Sequence, residues 1–168
     1  MQRMIVIDAG HGRGNRKPGV FDPGAVRAQA GMPVPLAREA DLALAYAGAL
    51  DEARRSGGLP AGRQGLRTAL TRADNETSVS LPQRVELARR RRADLLVSLH
   101  LNAAPPGGAN KRARGHEVLY RSAPSRRFAA AISAALAPHI PPHGQGMVQR
   151  NGLFLLRYDP SVLLEIGF

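Results

Sequence analysis

The stretch "ADLLVSLHLN" (residues 93–102) decides the fold class of this 168-residue chain. Residues 95–101 within it are nearly all apolar, which is typical of a strand buried on both faces at the centre of a parallel sheet. The strand ends close to His100, so an imidazole lies at its carboxyl end. Because ligands of open α/β sheets bind beyond the carboxyl ends of the strands, this stretch predicts both a sheet and the edge that carries the chemistry.

The segments around this strand alternate between strand and helix patterns. Helical spacing or capping signals predict helices at about residues 39–55, 80–92 and 125–138. Ser80 and Gln83 form a capping box at the second of these helices. Apolar runs predict further strands at residues 4–10, 66–72, 116–120, 153–156 and 162–168, and residues 141–146 are expected to be loop. This pattern predicts an α/β fold, a largely parallel sheet with helices on both faces, in a single domain over residues 1–168.

Composition excludes several classes of protein. The chain has no cysteine, so disulfides and thiolate metal sites are excluded, and no apolar run approaches the roughly 18 residues of a membrane span. We recognise no signal peptide at the amino terminus. The net charge of +11 favours polyanionic partners, among them nucleic acid, anionic lipid and anionic cell-wall polymer.

Four side chains are expected at the carboxyl edge of the sheet: His11, Glu39, His100 and Glu165. Two imidazoles and one carboxylate, with a fourth position for water, form the ligand set of a catalytic zinc site. Glu165 stands in the apolar stretch "VLLEIGF" (residues 162–168), where an unpaired charge is costly. A divalent cation nearby would offset that cost, and the carboxylate could then transfer the proton of an activated water.

Seven sequence blocks occur in a recognisable order: "IVIDAGHG", "FDPGA", "LTR-D", "VSLPQRVELA", "ADLLVSLHLNA", "GHEVLY" and "PSVLLEIGF". With these blocks the chain resembles the zinc-dependent N-acetylmuramoyl-L-alanine amidases of the type 3 family. The resemblance implies a three-layer α/β/α sandwich around a mostly parallel, mixed six-stranded sheet. It also implies one Zn²⁺ held by His11, Glu39 and His100, with Glu165 as the catalytic general base and acid. The implied reaction is hydrolysis of the peptidoglycan amide between N-acetylmuramic acid and L-alanine.

Some features leave alternatives open. Asp22 and Asp41 are rival carboxylate ligands to Glu39, because the gap between His11 and Glu39 is long. The long segments 12–38 and 102–115 are rich in Gly, Pro and Arg, so we expect an open groove without a helical plug. The chain ends at Phe168, earlier than is usual for the family. A phage lysin that acts after membrane breach and a trimmed secreted autolysin domain are both consistent with this sequence.

Two other functions compete with the amidase. A zinc peptidase that cuts the peptidoglycan stem peptide would differ only in the bond it cleaves. A non-catalytic basic module that binds wall or nucleic acid would also explain the charge, but aromatic residues make up only 4% and no nucleic-acid motif is present. We therefore expect peptidoglycan as the partner, no specific nucleic acid, no membrane insertion, a monomer, and action at the bacterial cell wall.

Overall fold

The computed structural model describes residues 2–27, 37–57, 65–103 and 114–167. In chain order the strands are β1 (Arg3–Ala9), β2 (Gly12–Arg13), β3 (Phe21–Asp22), β4 (Val26–Arg27), β5 (Ala37–Arg38), β6 (Leu66–Leu70), β7 (Leu95–His100), β8 (His116–Tyr120), β9 (Pro142–Gln149) and β10 (Ser161–Glu165). The helices are α1 (Glu39–Arg55), α2 (Leu81–Arg90) and α3 (Ala123–Leu136), and a short 3₁₀ helix spans Leu155–Arg157.

Six of these strands form one sheet in the order β6-β1-β7-β10-β8-β9. Strands β6, β1, β7 and β10 are mutually parallel, whereas β8 runs antiparallel to β10 and β9 parallel to β8. The predicted central strand does lie inside the sheet, between β1 and β10. The α/β fold with a mostly parallel, mixed six-stranded sheet is confirmed.

Helices cover both faces of the sheet, as expected. Ala43 and Ala47 of α1 and Ala129 of α3 belong to one core cluster, with residues such as Leu99 and Val162 of the strands. On the other face α2 and the 3₁₀ helix contribute Val85, Ala88 and Leu155, which pack with Val6 and Leu96. Three layers result, with the sheet in the middle.

The face of α1 that is buried against the sheet is not the face that carries its large apolar residues. Leu42, Tyr46 and Leu50 recur at helical spacing, yet their exposed fractions are 36, 41 and 50%. The face against the sheet is made by small residues instead, with Ala40, Ala43 and Ala47 fully buried. Small side chains let this helix lie close to the sheet, so the larger apolar residues are left outward.

Two local predictions were wrong. Residues 141–146 are not loop, because β9 begins at Pro142 and pairs with β8 at the sheet edge, where proline and glycine are tolerated in a strand. Residues 153–156 do not form a strand. The buried Leu155 and Leu156 lie instead in the 3₁₀ helix that packs against α2.

The described parts of segment 12–38 contain four short strands, β2 to β5. β2 pairs with β3, and β4 with β5, as two short antiparallel pairs. Residues 28–36 and 104–113 of the two predicted loops, and Phe168, lie outside the described residues. Among the helices that are described, none is long and apolar enough to cross a membrane.

Candidate metal centre and active site

The site lies at the edge where β1, β7 and β10 end and α1 begins. His11 follows β1, His100 ends β7, Glu165 ends β10, and Glu39 is the first residue of α1. Because these strands are parallel, their carboxyl ends share one edge of the sheet. Residues far apart in sequence are therefore brought to one place, as predicted.

Three of the predicted residues converge on one point. Glu39 Oε1 lies 2.9 Å from His11 Nε2 and 2.8 Å from His100 Nδ1, and the two imidazole nitrogens are 3.1 Å apart. The side chains of His11, Glu39 and His100 are only 11, 6 and 14% exposed. Within the part of the chain that the structure describes, they form the group of His, Asp and Glu side chains able to hold a metal ion.

The spacing of the three side chains fits a cation with tetrahedral coordination. Ligands at about 2.0–2.1 Å from a zinc ion lie roughly 3.3 Å from one another, slightly farther than the separations seen here. The three donor atoms therefore form one face of a tetrahedron of nearly the right size. A small outward shift of each side chain would admit the ion.

Asp22 is not a member of this group but supports it. Its Oδ2 accepts a hydrogen bond from His11 Nδ1 over 2.9 Å, and Asn15 and the Gly24 amide also donate to this carboxylate. Burial opposes ionisation of Asp22, but these hydrogen bonds outweigh it and lower the pKa of the carboxyl. With its proton on Nδ1, neutral His11 has a lone pair on Nε2 that points toward Glu39, as a metal ligand requires.

Glu39 is fixed by the backbone as well as by the imidazoles. The Ala25 amide donates to Oε2 over 2.7 Å and the Leu101 amide donates to Oε1 over 3.0 Å. Burial alone would raise the pKa of Glu39, but hydrogen bonds with His100, His11 and Ala25 hold it well below its usual range. Glu39 is therefore an anion at neutral pH, whereas its rival Asp41 pairs with Arg38 at 2.6 Å.

Glu165 lies beside the three ligands without joining them. Glu165 is the register partner of His100 across the parallel strands β10 and β7. The two side chains therefore lie on the same face of the sheet, one strand spacing of about 4.8 Å apart at the backbone. The Oε2 atom of Glu165 is buried and has no hydrogen-bond partner among the described residues. Burial raises the pKa of Glu165 to about 7, with Glu39 and Glu117 adding to the rise and the imidazoles opposing it.

Two glycines let the backbone approach these side chains. A Cβ on Gly10 would lie 2.5 Å from His100 Cε1 and Nε2, so the imidazole rests directly on this residue. A Cβ on Gly24 would lie 2.5 Å from Glu39 Oε2 and 2.6 Å from His11 Cδ2, at a φ of +67°. Any larger residue at either position would displace a proposed ligand.

Two buried arginines hold the turn that presents His11. Arg84 donates to the carbonyls of Ala9 and His11, and Arg72 donates to those of Ala9 and Gly10. His11 itself adopts a left-handed conformation with φ of 60°, which costs roughly 1–2 kcal/mol in a residue with a Cβ. The arginine hydrogen bonds to consecutive carbonyls stabilise that strained turn.

Asp8 neutralises the buried charge of Arg84. Its Oδ1 pairs with Arg84 Nη1 at 2.7 Å, and both side chains are 0% exposed. Thr71 and Ser98 also donate to the carboxylate. Burial opposes ionisation, yet Arg84 and the two hydroxyls lower the pKa of Asp8. The network ties the core of the sheet to the His11 turn.

A cavity of about 400 Å³ opens next to Glu39. Its walls are mostly apolar and include Val26, Leu42 and Leu101, with Arg27 and Asn102 as polar residues. The cavity lies along the same edge as the three converging side chains, so an extended polymer could pass the site here.

The remaining described histidines are not members of this group. His116 is buried, lies 2.8 Å from both the Ile140 carbonyl and Ser133 Oγ, and joins β8 to α3. His139 is exposed at the end of α3, whereas His143 lies in β9 and has an interaction partner rather than being free in a loop. The expectation that residues 141–146 are loop is therefore wrong for His143.

Comparison with known proteins identifies the family. The family model described as N-acetylmuramoyl-L-alanine amidase (Amidase_3) matches residues 5–168. The chain belongs to this amidase family. It is 28% identical over 166 residues to the N-acetylmuramoyl-L-alanine amidase LytC of Bacillus subtilis (strain 168), a match that covers 98% of this chain and 29% of LytC. The chain thus spans less than a third of that relative.

Solved structures of amidases have the same fold. The catalytic domain of CwlV, the amidase from Bacillus (Paenibacillus) polymyxa var. colistinus, is 28% identical with a TM-score of 0.73, over 99% of this chain and 80% of that one. An amidase from Clostridium difficile 630 is 26% identical with a TM-score of 0.76, over the same shares. The amidase fold therefore extends over nearly all of this chain.

Sequence reasoning missed several residues that support the site. Arg72 and Arg84 look like ordinary surface residues in an arginine-rich chain, and only their burial distinguishes them. Gly10, in Asp-Ala-Gly, and Gly24, in Asp-Pro-Gly, are typical of turn residues. The sequence indicated Asp22 only as a rival ligand to Glu39. Its place in an Asp-Pro-Gly turn between His11 and Glu39 was nevertheless a usable signal.

Proposed function

We propose that this chain hydrolyses the amide bond between N-acetylmuramic acid and L-alanine in peptidoglycan. The observation that carries the proposal is the convergence of His11, Glu39 and His100 beside the buried, unpartnered carboxyl oxygen of Glu165. Membership of the amidase family supports the choice of bond. We propose that the catalytic unit comprises residues 1–168 and acts as a monomer at the cell wall, as a phage lysin or as part of an autolysin.

His11, Glu39 and His100 would hold one Zn²⁺. Two imidazoles and a carboxylate with an open fourth position suit zinc, and the donor separations fit its size. When bound, the ion would supply Lewis-acid polarisation of the scissile carbonyl and a more acidic water. Asp22 fixes the tautomer of His11, while the Ala25 and Leu101 amides fix the orientation of Glu39.

Glu165 is the group that moves the proton. Its unpartnered Oε2 can accept a proton from the attacking water and return it to the departing alanine amine. Its raised pKa, about 7, suits both steps, because a general base and acid works best when its pKa lies near the operating pH. The burial that raises this pKa also limits competition from bulk water for the proton.

The cavity beside Glu39 is the proposed groove for the substrate. Val26 and Leu42 offer apolar contact to alkyl parts of a peptide, and the Asn102 amide can hydrogen-bond to its backbone. We place the stem peptide in this cavity, with the muramic acid on the far side of the proposed ligands. Both partly exposed apolar residues then have a use, since Val26 is 51% and Leu42 36% exposed.

Mass analysis of digested peptidoglycan tests the proposal. The expected products are intact stem peptides with a free amino-terminal alanine and glycan strands with unsubstituted lactyl groups, and a chelator abolishes them. Cleavage within the stem peptide would instead identify a zinc peptidase. No cleavage with zinc present, together with tight binding to wall or duplex oligonucleotide, would identify a non-catalytic module. Either result overturns the proposed reaction.

A further inference from the structure

Among the described residues, the net positive charge is concentrated at one end of the sheet. Strands β1, β6, β7 and β10 begin there, and α1 and α2 end there. These elements bring eight arginines to that end: Arg3, Arg54, Arg55, Arg67 and the four at positions 89–92. The site occupies the opposite end, where the same strands finish.

The antiparallel part of the sheet adds to this charge. Because β8 runs opposite to β10, its last residue and the start of α3 lie at the same end, as do the end of β9 and the 3₁₀ helix. They contribute five more arginines: Arg121, Arg126, Arg127, Arg150 and Arg157. We name these thirteen arginines together the basic end.

Acidic residues do not balance this charge. Five acids lie near the basic end, namely Asp51, Glu52, Glu86, Asp94 and Asp159, so its formal charge is +8. All other described charged residues, eight acids and eight basic residues, lie toward the site and cancel one another. Within residues 2–27, 37–57, 65–103 and 114–167, the basic end thus carries the whole net charge. An arginine-rich composition explains the number of arginines but not this separation.

Helix dipoles explain only part of the arrangement. Arginines in the last turns of α1 and α2 interact favourably with the negative ends of those helices. Arg126 and Arg127 lie in the first turns of α3, where the dipole is positive and the helix has no acid of its own. Asp159 lies at this helix end, but it accepts hydrogen bonds from Ser122 and Ser125 and forms no ion pair with either arginine. Cations at the N-terminus of a helix interact unfavourably with its dipole. The stability of the fold therefore does not explain these two arginines, whereas binding of an external anion would.

Many of these side chains are free to bind. Arg67, Arg90, Arg91, Arg92, Arg121, Arg126, Arg127 and Arg150 are exposed, and among the described residues none of them has a carboxylate within 4.0 Å. Guanidinium groups match phosphate oxygens with paired hydrogen bonds. A surface with several unpaired guanidinium groups across two helices and the sheet edge suits a flexible polymer with repeated phosphates.

We propose that the basic end binds the phosphodiester-linked anionic polymers of the cell wall. The inference rests on the proposed function, which brings the chain to peptidoglycan. Strands of five to seven residues separate the two ends by roughly 17–23 Å, at about 3.3 Å a residue. A polymer on the basic end therefore leaves the groove beside Glu39 accessible, and the enzyme can be held on the wall while it cuts.

The test measures sedimentation of the protein with wall sacculi, in a Glu165→Gln background so that the sacculi stay intact. Two double variants each remove two positive charges from the basic end, Arg126→Gln with Arg127→Gln and Arg90→Gln with Arg91→Gln. A matched control, Lys17→Gln with Arg114→Gln, removes the same charge from exposed residues near the site. Sacculi with and without their phosphodiester polymers are compared at low and high salt.

We expect each basic-end double variant to bind intact sacculi about fivefold more weakly at low salt, as the loss of two exposed ionic contacts predicts. Its dependence on salt should also become shallower. The control should bind like the parent, and stripping the polymers should abolish the difference. Equal weakening by all three variants, no weakening, or an undiminished difference on stripped sacculi would each overturn the inference. So would tighter binding to a duplex oligonucleotide than to intact sacculi.

A soluble muropeptide separates this inference from the proposed function. With Glu165 intact, the basic-end variants should cleave that small substrate as fast as the wild type, because it carries no polymer. If the wild type fails to cleave it, the proposed function fails, whereas the sedimentation result still reports on the basic end. Thermal unfolding of each variant checks that it is folded.

Discussion

Asp22 and Glu39 contact opposite nitrogens of the same imidazole, that of His11, each at 2.9 Å. The ring is therefore held between two carboxylates, one directed at the proposed ion and one behind it. This relationship gives the Asp-Pro-Gly turn a function that its sequence alone did not reveal. It also leads to a first prediction about metal affinity.

Asp22→Asn should weaken zinc binding by about 10- to 100-fold, because the amide no longer fixes the tautomer of His11 or raises its basicity. The measurement is competition for zinc with a chromophoric chelator. Glu86→Gln, an exposed acid on α2, serves as the control and should leave the affinity unchanged. Wild-type affinity in Asp22→Asn would show that the carboxylate does not support the site.

Gly10→Ala should displace His100, because the new methyl group would lie 2.5 Å from two atoms of its ring and 2.7 Å from the Leu99 carbonyl. We expect loss of zinc and of hydrolysis. Gly48→Ala provides the control, since a Cβ at that helical position meets nothing within 4 Å. It should keep full zinc content and gain up to about 1 kcal/mol of stability. A Gly10→Ala protein with normal zinc content would refute the packing argument.

Arg84→Met should lower the free energy of unfolding by about 3–5 kcal/mol, because it leaves Asp8 charged and unpaired in the core. Adding Asp8→Asn should recover part of this loss, so the two substitutions are not additive in urea denaturation. Arg89→Met, at an exposed position, should change stability by no more than about 0.5 kcal/mol. Strict additivity of the Arg84 and Asp8 changes would contradict a coupled pair.

Hydrolysis should increase with pH as Glu165 loses its proton. Burial raises the pKa of this group to about 7, so the general base is largely protonated below that pH and ionised above it. A bound cation acts in the opposite direction to burial, which puts the acidic limb of the kcat/KM profile at or below about pH 7. The profile on a soluble muropeptide measures this limb.

Glu117→Gln tests the neighbour that raises this pKa. Glu117 is the register partner of Glu165 on β8, and its negative charge disfavours ionisation of Glu165. Removing that charge should move the acidic limb to lower pH without abolishing turnover. A limb that stays in place, or moves upward, would show that Glu165 does not control it.

Local patterns in the sequence predicted most of the fold. The capping box at Ser80 and Gln83 is present at the start of α2, and α1 spans the predicted residues, Glu39–Arg55. The apolar run at residues 95–101 forms β7, which ends at His100. These features depend on contacts between residues close in sequence or on an apolar run long enough to be distinctive, so they can be recognised without tertiary information.

Features that depend on the sheet edge and on burial could not be predicted in this way. β9 contains proline and two glycines, and it forms a strand because it pairs with β8 through backbone hydrogen bonds. Leu153 to Leu156 form too short an apolar run to separate a strand from a helical turn. Arg84 resembles the exposed arginines that follow it on α2, and only the tertiary fold directs it toward Asp8. The convergence of the four predicted residues could be anticipated because each lies at or next to the end or the beginning of an element at one edge of the sheet.

Zinc content and turnover of the Glu165→Gln protein, measured on the same preparation, test the central claim most directly. The account predicts one zinc per chain, as in the wild type, because the three ligands are untouched, and no detectable hydrolysis of the muramoyl–alanine amide, because the proton acceptor is gone. Hydrolysis at the wild-type rate would contradict it, and so would a protein that had lost its zinc.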